Sequence, residues 1–150
     1  MPHRRTAKLS RWQMWLLIGS GTGLWLSGAA WLLLHYFGQK QGAFGPETNP
    51  VEPWMMKVHG AFLISVLLGI GGLFLVHIVK GWAHRHQRAA GIALSTVLGV
   101  LVISGYLLYY AGDEAARPWI SLVHWGIGLA LPVVFLWHYL NALAARRGKK

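Results

Sequence analysis

Residues 118–145, PWISLVHWGIGLALPVVFLWHYLNALAA, hold no acidic or basic side chain apart from two histidines, His124 and His138. Four turns of about 3.6 residues come to roughly 14, so these two histidines, 14 positions apart, share nearly one helical face and stand about 21 Å apart along the axis. That layout suits two separate ligands, one toward each side of a bilayer.

Three further charge-free runs precede this one: Trp12 to Gln39, Val58 to Val79 and Ala89 to Gly112. Each is long enough to cross a hydrocarbon core of about 30 Å, which takes roughly 20 residues. Hydrophobic residues make up 55% of the chain and charged ones 12%, and the charges collect between the runs instead of dispersing as on a soluble surface. The expectation is one all-α membrane domain over residues 1–150, an integral up-down-up-down four-helix bundle with helices near 12–37, 54–80, 89–111 and 118–145.

The distribution of the formal +10 charge decides what it means. Arg4, Arg5, Lys8 and Arg11 precede the first span, Lys80, Arg85 and Arg88 join the second to the third, and Arg146, Arg147, Lys149 and Lys150 follow the fourth. In a four-span chain these segments fall on one side, whereas Lys40, Lys57 and Arg117 fall on the other. The positive-inside rule then places both termini in the cytoplasm of a bacterial inner membrane, the basic tail lying on anionic lipid. Nucleic acid binding is excluded on the same ground. All four acids, Glu47, Glu52, Asp113 and Glu114, fall in the two outer loops. Cysteine is absent, which excludes a disulfide framework and any thiolate-held cluster. The first apolar run is too long for the core of a secretory signal and reads as a retained span.

Small residues recur at spacing four in the first span (Gly19, Gly23, Ser27) and in the third (Gly91, Ser95, Gly99), which lets neighbouring helices approach closely. The third span has no histidine and reads as a packing helix. Residues Gly38 to Pro53 read as an irregular connection, Asp113 and Glu114 as solvated acids, and Pro132 as a kink in the fourth helix. No longer internal repeat is evident.

The second and fourth spans both run from outside to inside. His59 and His124 stand at a similar shallow outer depth, and His77 and His138 in the inner half, so four histidines form two pairs across two helices. Polar groups inside a membrane are functional candidates. Neutral imidazole is the commonest metal ligand, and two on facing helices can hold a haem iron from both sides, leaving it suited to electron transfer. Gly60, Gly126 and Gly128 leave flat space nearby. His35, close to the outer interface, is the alternative outer ligand, and Arg85 and Arg88 are candidate partners for haem propionates.

Four spans, the outer and inner histidines of the last helix, their depth-matched counterparts on an earlier one, GYLLYYAG at 105–112 and the His124–Trp125 pair together resemble the small four-helix membrane cytochromes b. These include bacterial cytochrome b561 and the cytochrome b subunits of membrane hydrogenases and formate dehydrogenases. The resemblance implies two haems b and electron transfer between a quinone pool and a periplasmic or membrane redox protein. It implies an electron-transfer subunit, alone or in a larger complex or homo-oligomer, rather than a stand-alone catalyst. The competing class is a haem-free anchor or assembly subunit, or a histidine-lined proton or metal-ion carrier.

Overall fold

The structure, a computed structural model, describes residues 10–78 and 88–147. Four long helices account for most of them: α1 (Arg11–Phe37), α2 (Glu52–Leu73), α3 (Arg88–Tyr110) and α4 (Arg117–Arg147). All four are long and apolar enough to cross a membrane, in keeping with a multi-pass membrane protein. Their outer surfaces agree with that reading, since Leu68, Val133 and Tyr109 are 71%, 70% and 87% exposed while Val66 and Ala90 are the buried apolar residues among those described.

The chain divides into two compact units, Met1–Lys80 and Gly81–Lys150. In the first, α1 opens on a capping box: Ser10 Oγ accepts from the Gln13 N–H at 3.4 Å, and Gln13 Oε1 accepts from the Ser10 N–H at 3.2 Å. It closes on Gly38, whose N–H donates to the Leu34 carbonyl at 2.8 Å. α1 and α2 pair antiparallel, because Gly28 lies against His59, Gly23 against Phe62 and Leu17 against Gly69. A methyl group at Gly23 would stand 2.5 Å from the Phe62 ring, so part of the small-residue stripe does admit a neighbouring side chain. Gly19 of the same stripe meets nothing within 4 Å.

The connection between these helices is more ordered than its composition suggests. Strands β1 (Lys40–Gly42) and β2 (Gly45–Glu47) form an antiparallel pair in which Gly42 stands opposite Gly45, whose φ of 123° only glycine adopts readily. Asn49 Nδ2 then donates to the Gly38 carbonyl at 3.1 Å and ties the loop to the end of α1. Glu52, grouped with the loop acids by sequence, is wound into the first turn of α2 and only 6% exposed, where a carboxylate suits the positive end of the helix dipole.

α2 changes pitch at its far end. Phe74–Ile78 form a π-helical turn that contains His77, an irregularity that single extra residues produce in helices and that recurs at functional sites.

In the second unit α3 and α4 pair antiparallel through Gly105 with His124 and Gly91 with His138. Asp113, expected only as a solvated acid, caps the turn between them: its Oδ1 accepts the N–H groups of Ala115 at 2.9 Å and Ala116 at 3.3 Å. α4 continues as helix through Pro132, whose ring nitrogen has no hydrogen to offer the Gly128 carbonyl.

Candidate histidine sites

In the first hairpin His59 lies on the α2 face turned to α1. Its Nδ1 is 3.2 Å from Ser27 Oγ, and Ser27 Oγ is 2.9 Å from the Leu24 carbonyl. When the single hydroxyl hydrogen of Ser27 goes to the Leu24 carbonyl, Ser27 Oγ is left to accept from His59. That arrangement puts a hydrogen on Nδ1 and the lone pair of the neutral ring on Nε2. Gly28 makes room for this: a methyl there would stand 3.0 Å from His59 Cε1.

The second hairpin repeats the device. Ser104 Oγ donates to the Val100 carbonyl at 2.7 Å and stands 2.9 Å from His124 Nδ1. With that donation made, the neutral His124 ring likewise carries its lone pair on Nε2. Gly105 stands where Gly28 does, with His124 Cε1 at 3.2 Å from an added methyl. Both serines are about 5% exposed, sheltered from competing water.

The likeness extends along both hairpins. Leu24-Trp25-Leu26-Ser27-Gly28 in α1 matches Leu101-Val102-Ile103-Ser104-Gly105 in α3, and Pro53-Trp54-x-x-x-Val58-His59 in α2 matches Pro118-Trp119-x-x-x-Val123-His124 in α4. Each hairpin has an apolar groove beside its serine, of about 380 Å³ in the first and 340 Å³ in the second. Corresponding residues line the two grooves: Leu26 and Ile103, Ala30 and Leu107, Met55 and Ile120, Val58 and Val123. The chain thus contains an internal repeat of one helical hairpin. Ser104 escaped the sequence reading, and Ser27 entered it only as a packing residue; the shared Ser-Gly pairs and P-W-x-x-x-V-H segments are the signal that finds both.

The inner histidines are less alike. His138 packs toward α3, its Cε1 4.0 Å from a methyl placed at Gly91, so α4 sets His124 and His138 over two glycines that are themselves 14 residues apart. The third span therefore supplies support for both histidines of the fourth. His77 stands in the π-turn and is exposed.

His35, the alternative outer ligand, has its Nδ1 3.1 Å from Glu52 Oε2 and its ring stacked on Trp31 at 4.6 Å between centroids. Arg88 opens α3 and is exposed, whereas Arg85 lies outside the described residues. Among the described residues no three of His, Asp and Glu gather into a group that could hold a bare metal ion.

The fit to a haem rests on the donor set. A haem iron takes an imidazole nitrogen that carries a lone pair, with the other nitrogen's hydrogen bonded to the protein, and the Nδ1 contacts of His59 with Ser27 and of His124 with Ser104 are compatible with that. No family model, curated protein or solved structure matches the chain significantly. The hairpin repeat and its serine-held histidines therefore carry the functional reading.

Proposed function

We propose that this chain is an up-down-up-down four-helix membrane cytochrome b. It passes electrons across a bacterial inner membrane between a quinone pool and a periplasmic or membrane redox partner. Both termini lie in the cytoplasm. Its cofactors are two haems b, one ligated by His59 and His124 toward the outer side, the other by His77 and His138 toward the inner. The observation that supports the reading is the repeated serine contact, in which Ser27 Oγ lies 3.2 Å from His59 Nδ1 and Ser104 Oγ 2.9 Å from His124 Nδ1, an arrangement that leaves Nε2 of each ring as the atom offered to an iron. Two equivalent imidazoles suit the two equivalent axial places of a porphyrin iron.

A haem held by two imidazoles would supply one-electron transfer. The chain's own part is to orient the imidazoles and exclude water. Ser27 and Ser104 fix ring orientation, Gly28 and Gly105 let the rings lie close to the opposing helix, and the apolar stretches Val66–Leu73 and Leu129–Phe135 keep the interior free of competing charge. A haem-free anchor would use the Gly23–Phe62 contact equally well but gives the two serine–histidine contacts no role. Purification after expression with ample haem tests the reading: Soret and α bands that sharpen on reduction are expected, and a colourless protein overturns it.

A further inference from the structure

The connection between α1 and α2 carries more structure than joining two helices requires. The second hairpin closes through the short turn capped by Asp113, whereas the first builds the β1–β2 pair, with Lys40 opposite Glu47, Gln41 opposite Pro46 and Gly42 opposite Gly45. Glycine frames its Ala43–Phe44 tip: Gly45 has a φ of 123°, and a methyl at Gly42 would stand 2.6 Å from Glu47 Cγ. The base is held as well. Asn49 Nδ2 donates to the Gly38 carbonyl at 3.1 Å, and the Asn49 N–H donates to Glu52 Oε1 at 3.2 Å. A turn built this way ends in Phe44, which is fully exposed, more so than any other large apolar residue among those described. Leaving a phenyl ring in water forgoes its burial.

Three features select what covers the ring. Its level is the first. The same end of the hairpin exposes Tyr36 and Phe37 at the close of α1 and Trp54 at the start of α2, aromatic residues of the kind that mark a membrane–water boundary. Lys57 sets its Nζ 4.3 Å from the centre of the Trp54 ring, as an ammonium does when it leaves an apolar span for the headgroups. Strands of three residues at about 3.3 Å each keep the tip within about 10 Å of Gly38. The headgroup layer on one side of a bilayer is about 5–8 Å deep, and a hairpin of this size lying along the surface fits within it. The edges are the second feature: a partner that adds a strand needs a long edge of free N–H groups, whereas these strands are short and Pro46 has none to give. Charge is the third. Lys40 and Glu47 stand opposite one another, and the tip from Gly42 to Gly45 has no charge to carry into lipid.

We propose that the β1–β2 hairpin is a membrane anchor whose Phe44 ring seats among the lipid headgroups of the outer leaflet. The partner is the lipid surface of the chain's own membrane, and the contact holds the outer end of the first hairpin against the bilayer. The proposal needs the membrane spans and the outward placement of this loop but neither haem.

Nitroxide labelling tests this, because the chain has no cysteine of its own. The full chain with Ala43→Cys is labelled beside an intact Phe44 and reconstituted in vesicles of phosphatidylethanolamine and phosphatidylglycerol. The label should collide more with lipid-soluble oxygen than with a water-soluble nickel chelate. Adding Phe44→Asp should abolish that excess with the circular dichroism unchanged, and Phe44→Leu should keep most of it. A label on Val133→Cys, at an exposed position of α4, is the reference for the bilayer interior. An excess that Phe44→Asp leaves intact overturns the anchor. A label shielded from both collision partners reports a protein neighbour, a second copy or another chain, and overturns it too. An aqueous label at position 43 with a deep one at 133 overturns the anchor alone, whereas aqueous labels at both overturn the membrane-spanning reading with it.

Discussion

Replacing Gly28 with alanine tests the contact on which the His59 support depends. The added methyl would lie 3.0 Å from His59 Cε1 and 3.2 Å from Nδ1, whereas carbon atoms rest about 3.5–4.0 Å apart. The ring must therefore retreat by about half an ångström. Its contact with Ser27 Oγ already measures 3.2 Å, and such a retreat carries it past hydrogen-bond length. Overpacking of this kind costs about 1–3 kcal/mol, and the better helix propensity of alanine returns about 0.5–1 kcal/mol. The expected net loss is about 1 kcal/mol. Gly105→Ala should cost less, because its methyl meets His124 Cε1 at 3.2 Å and Nδ1 only at 3.7 Å. Gly21→Ala meets nothing within 4 Å and should stabilise by about 0.5–1 kcal/mol. Reversible unfolding in mixed micelles, read by circular dichroism, orders the three variants. Gly28→Ala as stable as Gly21→Ala would refute the packing argument.

Ser27→Ala and Ser104→Ala should each weaken their own hairpin by about 0.6–1.7 kcal/mol, the span found for hydrogen bonds between membrane helices, measured in the same micelles. Ring ¹⁵N spectra of the haem-free protein should show His59 and His124 protonated at Nδ1; the opposite tautomer in either contradicts the serine assignment. His138→Ala should remove about half of the bound haem, as loss of one ligand from one of two bis-histidine sites requires, and full retention in a pyridine haemochrome assay would reject His138 as a ligand.

The spans were legible because charge-free runs of this length have few other uses. The hairpin repeat is present in the sequence as P-W-x-x-x-V-H and Ser-Gly segments but is hidden from a search for a fixed period: Ser104 lies 77 residues after Ser27, whereas His124 lies only 65 after His59. The β1–β2 connection of the first hairpin is longer than the capped turn at Asp113, and no single period superposes both helices. Glu52 was misplaced because composition sees an acid among loop residues, while the structure satisfies both its oxygens at the start of α2. In the structure His35 is joined to Glu52, and His77 stands exposed in a π-turn.

The central claim is that the two hairpins hold haem through serine-supported histidines. Its most direct measurement is the haem-to-chain ratio of the purified protein together with the low-temperature electron paramagnetic resonance of its ferric form, in wild type and in His59→Ala and His124→Ala. Wild type should carry about two haems per chain with low-spin bis-imidazole signals, and each variant should lose the same one of them. No haem in wild type, or two low-spin haems retained in both variants, would contradict it.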